Sequence, residues 1–175
     1  MKKLRRGLYI GRFQPYHLGH SQVLQVVVGE IDEVIIGIGS AQESYHPNNP
    51  FTAGERVLMV SKAVEEFDIK SYIIPIEDVH CNNLWVSRVT SMVPPFDVVY
   101  SNNSLVIELF RDSDVQVVKT PLFNRVMYSG SMIRELMLAG KEWRHLVPDS
   151  VAEVIDDIDG TGRIQRVAGS DKEFL

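Results

Sequence analysis

Cysteine is nearly absent from this chain of 175 residues: Cys81 is the only one. A single thiol cannot close an intramolecular disulfide, so no such staple holds the fold. Long hydrophobic runs are missing too. No stretch approaches the roughly 20 apolar residues that a bilayer-spanning helix needs. The opening residues, Met1-Lys2-Lys3-Leu4-Arg5-Arg6, are basic, but Leu8-Tyr9-Ile10 is far too short for the apolar core of a signal peptide. These shortages lead to the expectation of a cytoplasmic protein with no membrane partner. Positive charge is also scarce: 18 Lys and Arg against 23 Asp and Glu leave a net charge of −5. That balance speaks against a broad nucleic-acid surface, which usually carries net positive charge. A nucleotide stays open, because a local cluster of cations suffices for its phosphates.

Further absences narrow the chemistry. No Gly-x-x-x-x-Gly-Lys-Ser/Thr stretch occurs, which excludes a P-loop. No serine–histidine–acid set stands out and the carboxylates are scattered. An enzyme built on this chain is therefore expected to work by positioning and charge stabilisation, not through a covalent intermediate. No internal repeat, low-complexity tract or linker divides the chain. Residues 1–175 read as one domain, with a helical C-terminal part from about residue 130.

What the chain does have is a regular alternation. Short, β-branched apolar runs at 8–10, 34–38, 72–76, 98–100 and 115–118 read as strands buried on both faces. Helical patterns lie between them at about 18–29, 52–67, 83–92 and 104–110. The second helix opens on a capping box, Thr52-Ala-Gly-Glu55. Strand–helix alternation predicts an α/β fold: a doubly wound, Rossmann-like parallel sheet of about five strands. After a loop at 120–128, Ser129-Gly130-Ser131 opens a helix to about 139, ended by Gly140. Another helix covers 151–158. The tail from Asp159, with its glycines and mixed charge, reads as partly helical or frayed.

Ligands of such a sheet belong at the carboxyl ends of its strands. There the chain places Gly11-Arg12-Phe13-Gln14-Pro15-Tyr16-His17-Leu18-Gly19-His20, between the first strand and the first helix. A helix N-terminus favours an anion, Arg12 adds a forked donor, and Gly11 and Gly19 allow close backbone approach. His17 and His20, three apart, lie on one side of the helix and can both donate to one ligand. The same pair also suits a metal site or a simple helix cap. The metal reading lacks further ligands, since His46, His80 and His145 are isolated, and no metal-ligating residue is expected.

Ser129, Gly130, Ser131 and Arg134 form a second phosphate candidate, which also reads as an ordinary serine N-cap with a surface arginine. A triphosphate needs donors from two sides, so the two motifs strengthen each other. Gly37-Ile38-Gly39-Ser40-Ala41-Gln42 matches a dinucleotide fingerprint poorly and reads as a tight turn lining the site. After the third strand, Asn82 can hydrogen-bond an amide or a ribose. Trp85 can stack on a ring, although taken alone it reads better as a core residue. Asp78 is a ribose or amide acceptor or a plain loop carboxylate, and Cys81 reads as a small buried apolar residue.

Taken together, Gly-Arg-Phe-Gln-Pro-x-His-x-Gly-His and the late Ser-Gly-Ser-x-Ile-Arg resemble the nucleotidyltransferase superfamily that carries the His-x-Gly-His signature. Gly39-Ser-Ala-Gln42, Asn49-Pro-Phe-Thr-Ala-Gly-Glu-Arg56, Cys81-Asn82, Leu84-Trp-Val86, Pro121-Leu-Phe123 and Tyr128-Ser-Gly130 extend the resemblance over nearly the whole chain. With them the chain resembles the archaeal-type nicotinamide-nucleotide adenylyltransferases. The resemblance implies that ATP and nicotinamide mononucleotide give NAD and pyrophosphate by in-line attack, with Mg²⁺ held mainly by substrate phosphates. It implies that His17 and His20 contact the ATP phosphates, that Arg12 bridges the two substrates, and that Ser129, Ser131 and Arg134 hold the β- and γ-phosphates. On the same resemblance, Phe123 and Tyr128 are expected to line the adenine side, and Gly11, Phe13, Gln14, Gly19 and Gly130 to complete the ATP contacts. Asn82 and Trp85 are expected to receive the nicotinamide, with Asp78 and Ser40 beside them. A homo-oligomer, a hexamer, is also implied. One departure stands out: Asn48 lies where relatives carry a basic residue, which weakens phosphate binding or moves that role to His46. Nicotinic acid mononucleotide or flavin mononucleotide as acceptor, and a non-catalytic nucleotide sensor, are the competing readings.

Overall fold

Aliphatic residues that alternate between two covered faces set the centre of the molecule. The computed structural model describes residues 4–121 and 128–170. Its sheet contains β1 (Arg6–Gly11), β2 (Glu33–Ile38), β3 (Lys70–Pro75), β4 (Val98–Tyr100) and β5 (Gln116–Val118). The strand order is β3-β2-β1-β4-β5 and every neighbouring pair is parallel. All six residues of β2, between β3 and central β1, are buried.

Adjacent residues of one strand face opposite sides. Tyr9, Val34, Ile36 and Ile38 enter one core, together with Leu24 of α1 (Leu18–Val27), Met59 and Val60 of α2 (Ala53–Val64), and Ile133 and Met137 of α5 (Gly130–Leu138). Val151 and Ile155 of α6 (Asp149–Asp157) and Ile164 of α7 (Gly160–Ser170) close that side. Leu8, Ile35 and Val99 enter the other core, with Val89 of α3 (Trp85–Met92) and Val106 of α4 (Ser104–Leu109). This is the doubly wound arrangement expected from the alternation.

One local reading is sharpened and two change. The tail from Asp159 is partly helical, as one of its readings had it: Gly160–Ser170 is the regular helix α7, because Ile164 is fully buried and Arg163 forms a two-pronged ion pair with Glu55 of α2 at 2.6 and 2.8 Å. Long-range burial and pairing outweigh its glycines. The stretch from 83 starts as a 3₁₀ turn, Asn82–Leu84, before α3 begins at Trp85. Cys81 is exposed, not buried: it stands at the entrance to that turn, beyond the end of β3, where no core reaches it. The capping box at Thr52 is formed, with Glu55 N–H donating to Thr52 Oγ1 at 3.2 Å and Thr52 N–H to Glu55 Oε2 at 2.9 Å. Gly140 ends α5 with φ +63°. Among the described residues no helix is long and apolar enough to cross a membrane.

Candidate active site

Parallel strands bring their carboxyl ends, and the helix N-termini that follow, to one side of the sheet. There a cleft of about 620 Å³ opens between the turn after β1, the loop after β4 and the start of α5. Its walls include Arg12, Phe13, Gln14, His17, Gly19 and His20 from the first motif and Tyr128, Ser129, Gly130, Ser131 and Arg134 from the second. Two segments more than 100 residues apart in sequence therefore face one another. Phe123 lies outside the described residues.

His17 and His20 stack in the first turn of α1, ring centroids 3.6 Å apart. The His17 backbone N–H donates to His20 Nδ1 at 3.1 Å. A nitrogen that accepts carries no proton, so neutral His20 holds its proton on Nε2. Phe13 and Tyr16 surround the same ring at 4.8 and 5.2 Å. This apolar wall holds His20 well below the usual imidazole range, with nearby His17 adding to the effect. Burial pushes His17 down to about 4. Both rings are neutral at pH 7 in the free protein, and His17 Nδ1 is buried without a partner.

The fixed charge comes from arginines. Arg12 is exposed at the cleft. Arg134 is buried; its Nη1 donates to Gln14 O at 2.7 Å and its Nη2 to Ser131 Oγ at 3.3 Å. Burial and the neighbouring Arg12 lower its pKa. Gly130 makes this meeting possible: a Cβ there would lie 2.9 Å from Gln14 O and 3.0 Å from Arg134 Nη1. Ser129 caps α5, accepting Met132 N–H at 3.2 Å, so the plain capping reading holds alongside its place on the wall. No described carboxylate lines the cleft.

Some candidates do other work. Gln14 is buried, and both ends of its amide are spent on Phe51: Nε2 donates to Phe51 O at 2.9 Å and Oε1 accepts Phe51 N–H at 3.0 Å. Gly11 O accepts Gly39 N–H at 2.9 Å, tying the turn to the end of β2. Gly11, Ser40, Asp78, Asn82 and Trp85 are not on the cleft wall. Ser40 sits in the turn after β2 with φ +48°. Exposed Asp78 exchanges two hydrogen bonds with the Gln42 amide, at 3.0 and 3.1 Å. Asn82 is exposed, and Trp85 packs edge-on against Phe110 with centroids 6.0 Å apart. Asn48 donates its backbone N–H to His46 Nδ1 at 3.2 Å, and neither residue lines the cleft.

Two groups escaped the sequence reading. Asn102, Asn103 and Thr120 line the far wall, with Asn102 Nδ2 donating to Thr120 O at 2.9 Å. Their place after β4 and β5 was a usable signal. Arg56 is fully buried among backbone carbonyls. Its signal was an arginine on the apolar stripe of α2 that also holds Met59, Val60, Ala63 and Val64.

A cleft with no carboxylate among its described lining residues, fed by two helix N-termini and a His-x-Gly-His turn at the carboxyl edge of a parallel sheet, defines a nucleotidyltransferase-type site. Residues 8–136 match the cytidylyltransferase-like family. The chain is 54% identical over 171 residues to the nicotinamide-nucleotide adenylyltransferase of Methanolobus tindarius, covering 98% of this chain and 99% of that one. It is 54% identical over 172 residues to the enzyme of the same name from Archaeoglobus fulgidus, covering 95% and 99%. The chain belongs to the cytidylyltransferase-like family and, within it, to the archaeal-type nicotinamide-nucleotide adenylyltransferases.

The fold is shared with a bifunctional NMN adenylyltransferase/ADP ribose pyrophosphatase from Francisella tularensis, solved with AMP and a manganese ion. The TM-score is 0.76 at 18% identity, with 98% of this chain and 54% of that chain covered. This chain thus spans about half the length of that protein, and at such identity the likeness concerns the fold alone.

Proposed function

We propose that this chain transfers the adenylyl group of ATP to nicotinamide mononucleotide, giving NAD and pyrophosphate. The observation that carries this reading is the convergence of Arg12, His17, His20, Ser131 and Arg134 on one cleft whose described lining has no carboxylate. An oxygen of the mononucleotide phosphate attacks the α-phosphorus of ATP, and the bond from that phosphorus to the pyrophosphate oxygen breaks in line. The pyrophosphate leaves with the electron pair. No protein atom needs to become bonded.

Each residue then has a place. His20 offers its Nε2–H to the α-phosphate, where charge builds up in the transition state. His17 assists from the stacked position. Ser129, Ser131, Arg134 and the backbone at Gly130 hold the β- and γ-phosphates at the N-terminus of α5. Arg12, at the open side, spans the phosphates of both substrates. Phe13, Gln14 and Gly19 shape the floor, and Gly11 ties the turn to the loop after β2 through its carbonyl. Phe123 and Tyr128 take the adenine side, and Asn102 and Thr120 line the same cleft as Tyr128. The nicotinamide is assigned to Asn82 and Trp85, with Asp78 and Ser40 next to them.

The described residues contain no group of three or more His, Cys, Asp or Glu that could hold a metal. We infer that the divalent ion enters as part of the substrate, MgATP, held mainly by phosphate oxygens and water. A free, exposed Cys81 suits a reducing cytoplasm. Homo-oligomer formation is tested by sedimentation velocity.

The deciding experiment supplies MgATP with nicotinamide mononucleotide and reads NAD with a coupled dehydrogenase, running the nicotinic acid and flavin mononucleotides in parallel. NAD formation is expected. Product with another acceptor alone would overturn the roles of Asn82 and Trp85. ATP binding without any product would favour a nucleotide sensor.

A further inference from the structure

Arg56 is fully buried, yet its hydrogen-bond acceptors are all backbone carbonyls. Its Nη1 donates to Arg12 O at 2.9 Å and to Gly39 O at 2.9 Å. Its Nη2 donates to Ser40 O at 3.0 Å, with longer contacts to Glu43 O at 3.4 Å and Ala41 O at 3.5 Å. Its Nε reaches back to Thr52 O, at the cap of its own helix, at 3.3 Å. Arg12 follows the last residue of β1, and Gly39 follows the last residue of β2. One guanidinium therefore ties together the two loops that leave the carboxyl ends of neighbouring strands.

The backbone it grips is under strain. Phe13, just after Arg12, has φ +50°, and Ser40 has φ +48°. Neither is a glycine, and such conformations persist only where the surroundings enforce them. The second loop continues to Gln42, whose amide holds Asp78 beyond β3. The group stays a cation at neutral pH: burial, with Arg12 nearby, lowers it only to about 10.

We infer that Arg56 is a positioning residue for adenylyl transfer: its fork sets the backbone of Arg12, and thereby the Arg12 guanidinium, relative to the loop after β2. It touches no substrate. The need is for a planar fork with five N–H donors. A lysine ammonium has three donors around one point and cannot span both loops. The inference rests on the adenylyl-transfer reading above, with Arg12 between the two substrates.

The test compares wild type, Arg56→Lys, Arg56→Gly with and without millimolar guanidinium, and Met59→Ala as a core variant of the same helix. Arg56→Lys is expected to lose about 10²-fold in kcat, the usual scale for a misplaced group near the reacting centre, with a smaller change in KM for ATP. Guanidinium should restore part of the turnover of Arg56→Gly, and methylammonium should not. Met59→Ala should melt earlier yet keep kcat. ATP affinity by calorimetry on the same variants is read independently of turnover, and Arg56→Lys should weaken it. An inactive wild type that still binds ATP would fail the transfer reading, and the calorimetry would still judge Arg56. A folded Arg56→Lys with wild-type kcat and ATP affinity would overturn the inference. So would Arg56 variants that fail to fold even with guanidinium, since the role would then be stability alone.

Discussion

The backbone N–H of His17 donates to Nδ1 of His20 at 3.1 Å, and the two rings lie stacked with centroids 3.6 Å apart. One hydrogen bond thus caps the helix and fixes a tautomer. It keeps the proton of neutral His20 on Nε2, the atom to which the proposed phosphate contact is assigned.

Replacing His20 removes that donor. His20→Ala is expected to lower kcat about 10²–10³-fold, the usual loss for one preorganised donor to a developing oxyanion. Its far-ultraviolet circular dichroism should match wild type. An unchanged rate would remove His20 from the mechanism.

Stability should depend on these imidazoles. The unfolded chain takes up a proton at each near pH 6.5, whereas folded His17 resists protonation down to about 4 and folded His20 is depressed as well. With the folded value below the unfolded one, the full stability is present above about pH 6.5 and is lost as pH falls toward 4. At about 1.4 kcal/mol per unit, His17 alone accounts for about 3 kcal/mol across that window. Melting temperature measured from pH 7 to pH 5 should fall, and His17→Gln should flatten the slope. Identical slopes would contradict the assignment.

Gln14 offers a separate check. Gln14→Leu leaves the Phe51 N–H and C=O without their partners at a buried site. Each loss costs about 1–3 kcal/mol, so urea denaturation should show a drop of about 2–6 kcal/mol. A change below 1 kcal/mol would mean that water replaces the amide.

Trp85 separates packing from recognition. Its edge-on contact with Phe110 places it against the second core. Trp85→Ala should therefore destabilise, by about 1–3 kcal/mol for a half-buried ring. The assigned nicotinamide contact should also raise KM for the mononucleotide more than for ATP. Trp85→Phe, which retains a ring for Phe110, tells the two effects apart. Wild-type KM values in both variants would leave Trp85 with packing alone.

Much of this protein was legible in its residues because the governing physics is local. Strand period, helix period and the Thr52–Glu55 capping box depend on neighbours within a turn or two. The rule that ligands meet strand carboxyl ends pointed to the turn at 11–20, and the structure brings His17 and His20 onto one cleft with Ser129–Ser131. Contacts across long separations were decided by the tertiary structure. Gln14 and Arg134 are 120 positions apart, and no local pattern announces that one carbonyl receives the other's guanidinium. The same holds for Arg56: its place on an apolar stripe was visible, but most of the carbonyls that justify a buried cation come from the loops that follow β1 and β2. Cys81 and α7 carry the same lesson in opposite directions. A small apolar side chain is buried only if a core reaches it, and a glycine-containing tail becomes a helix once Ile164 finds a core and Arg163 finds Glu55.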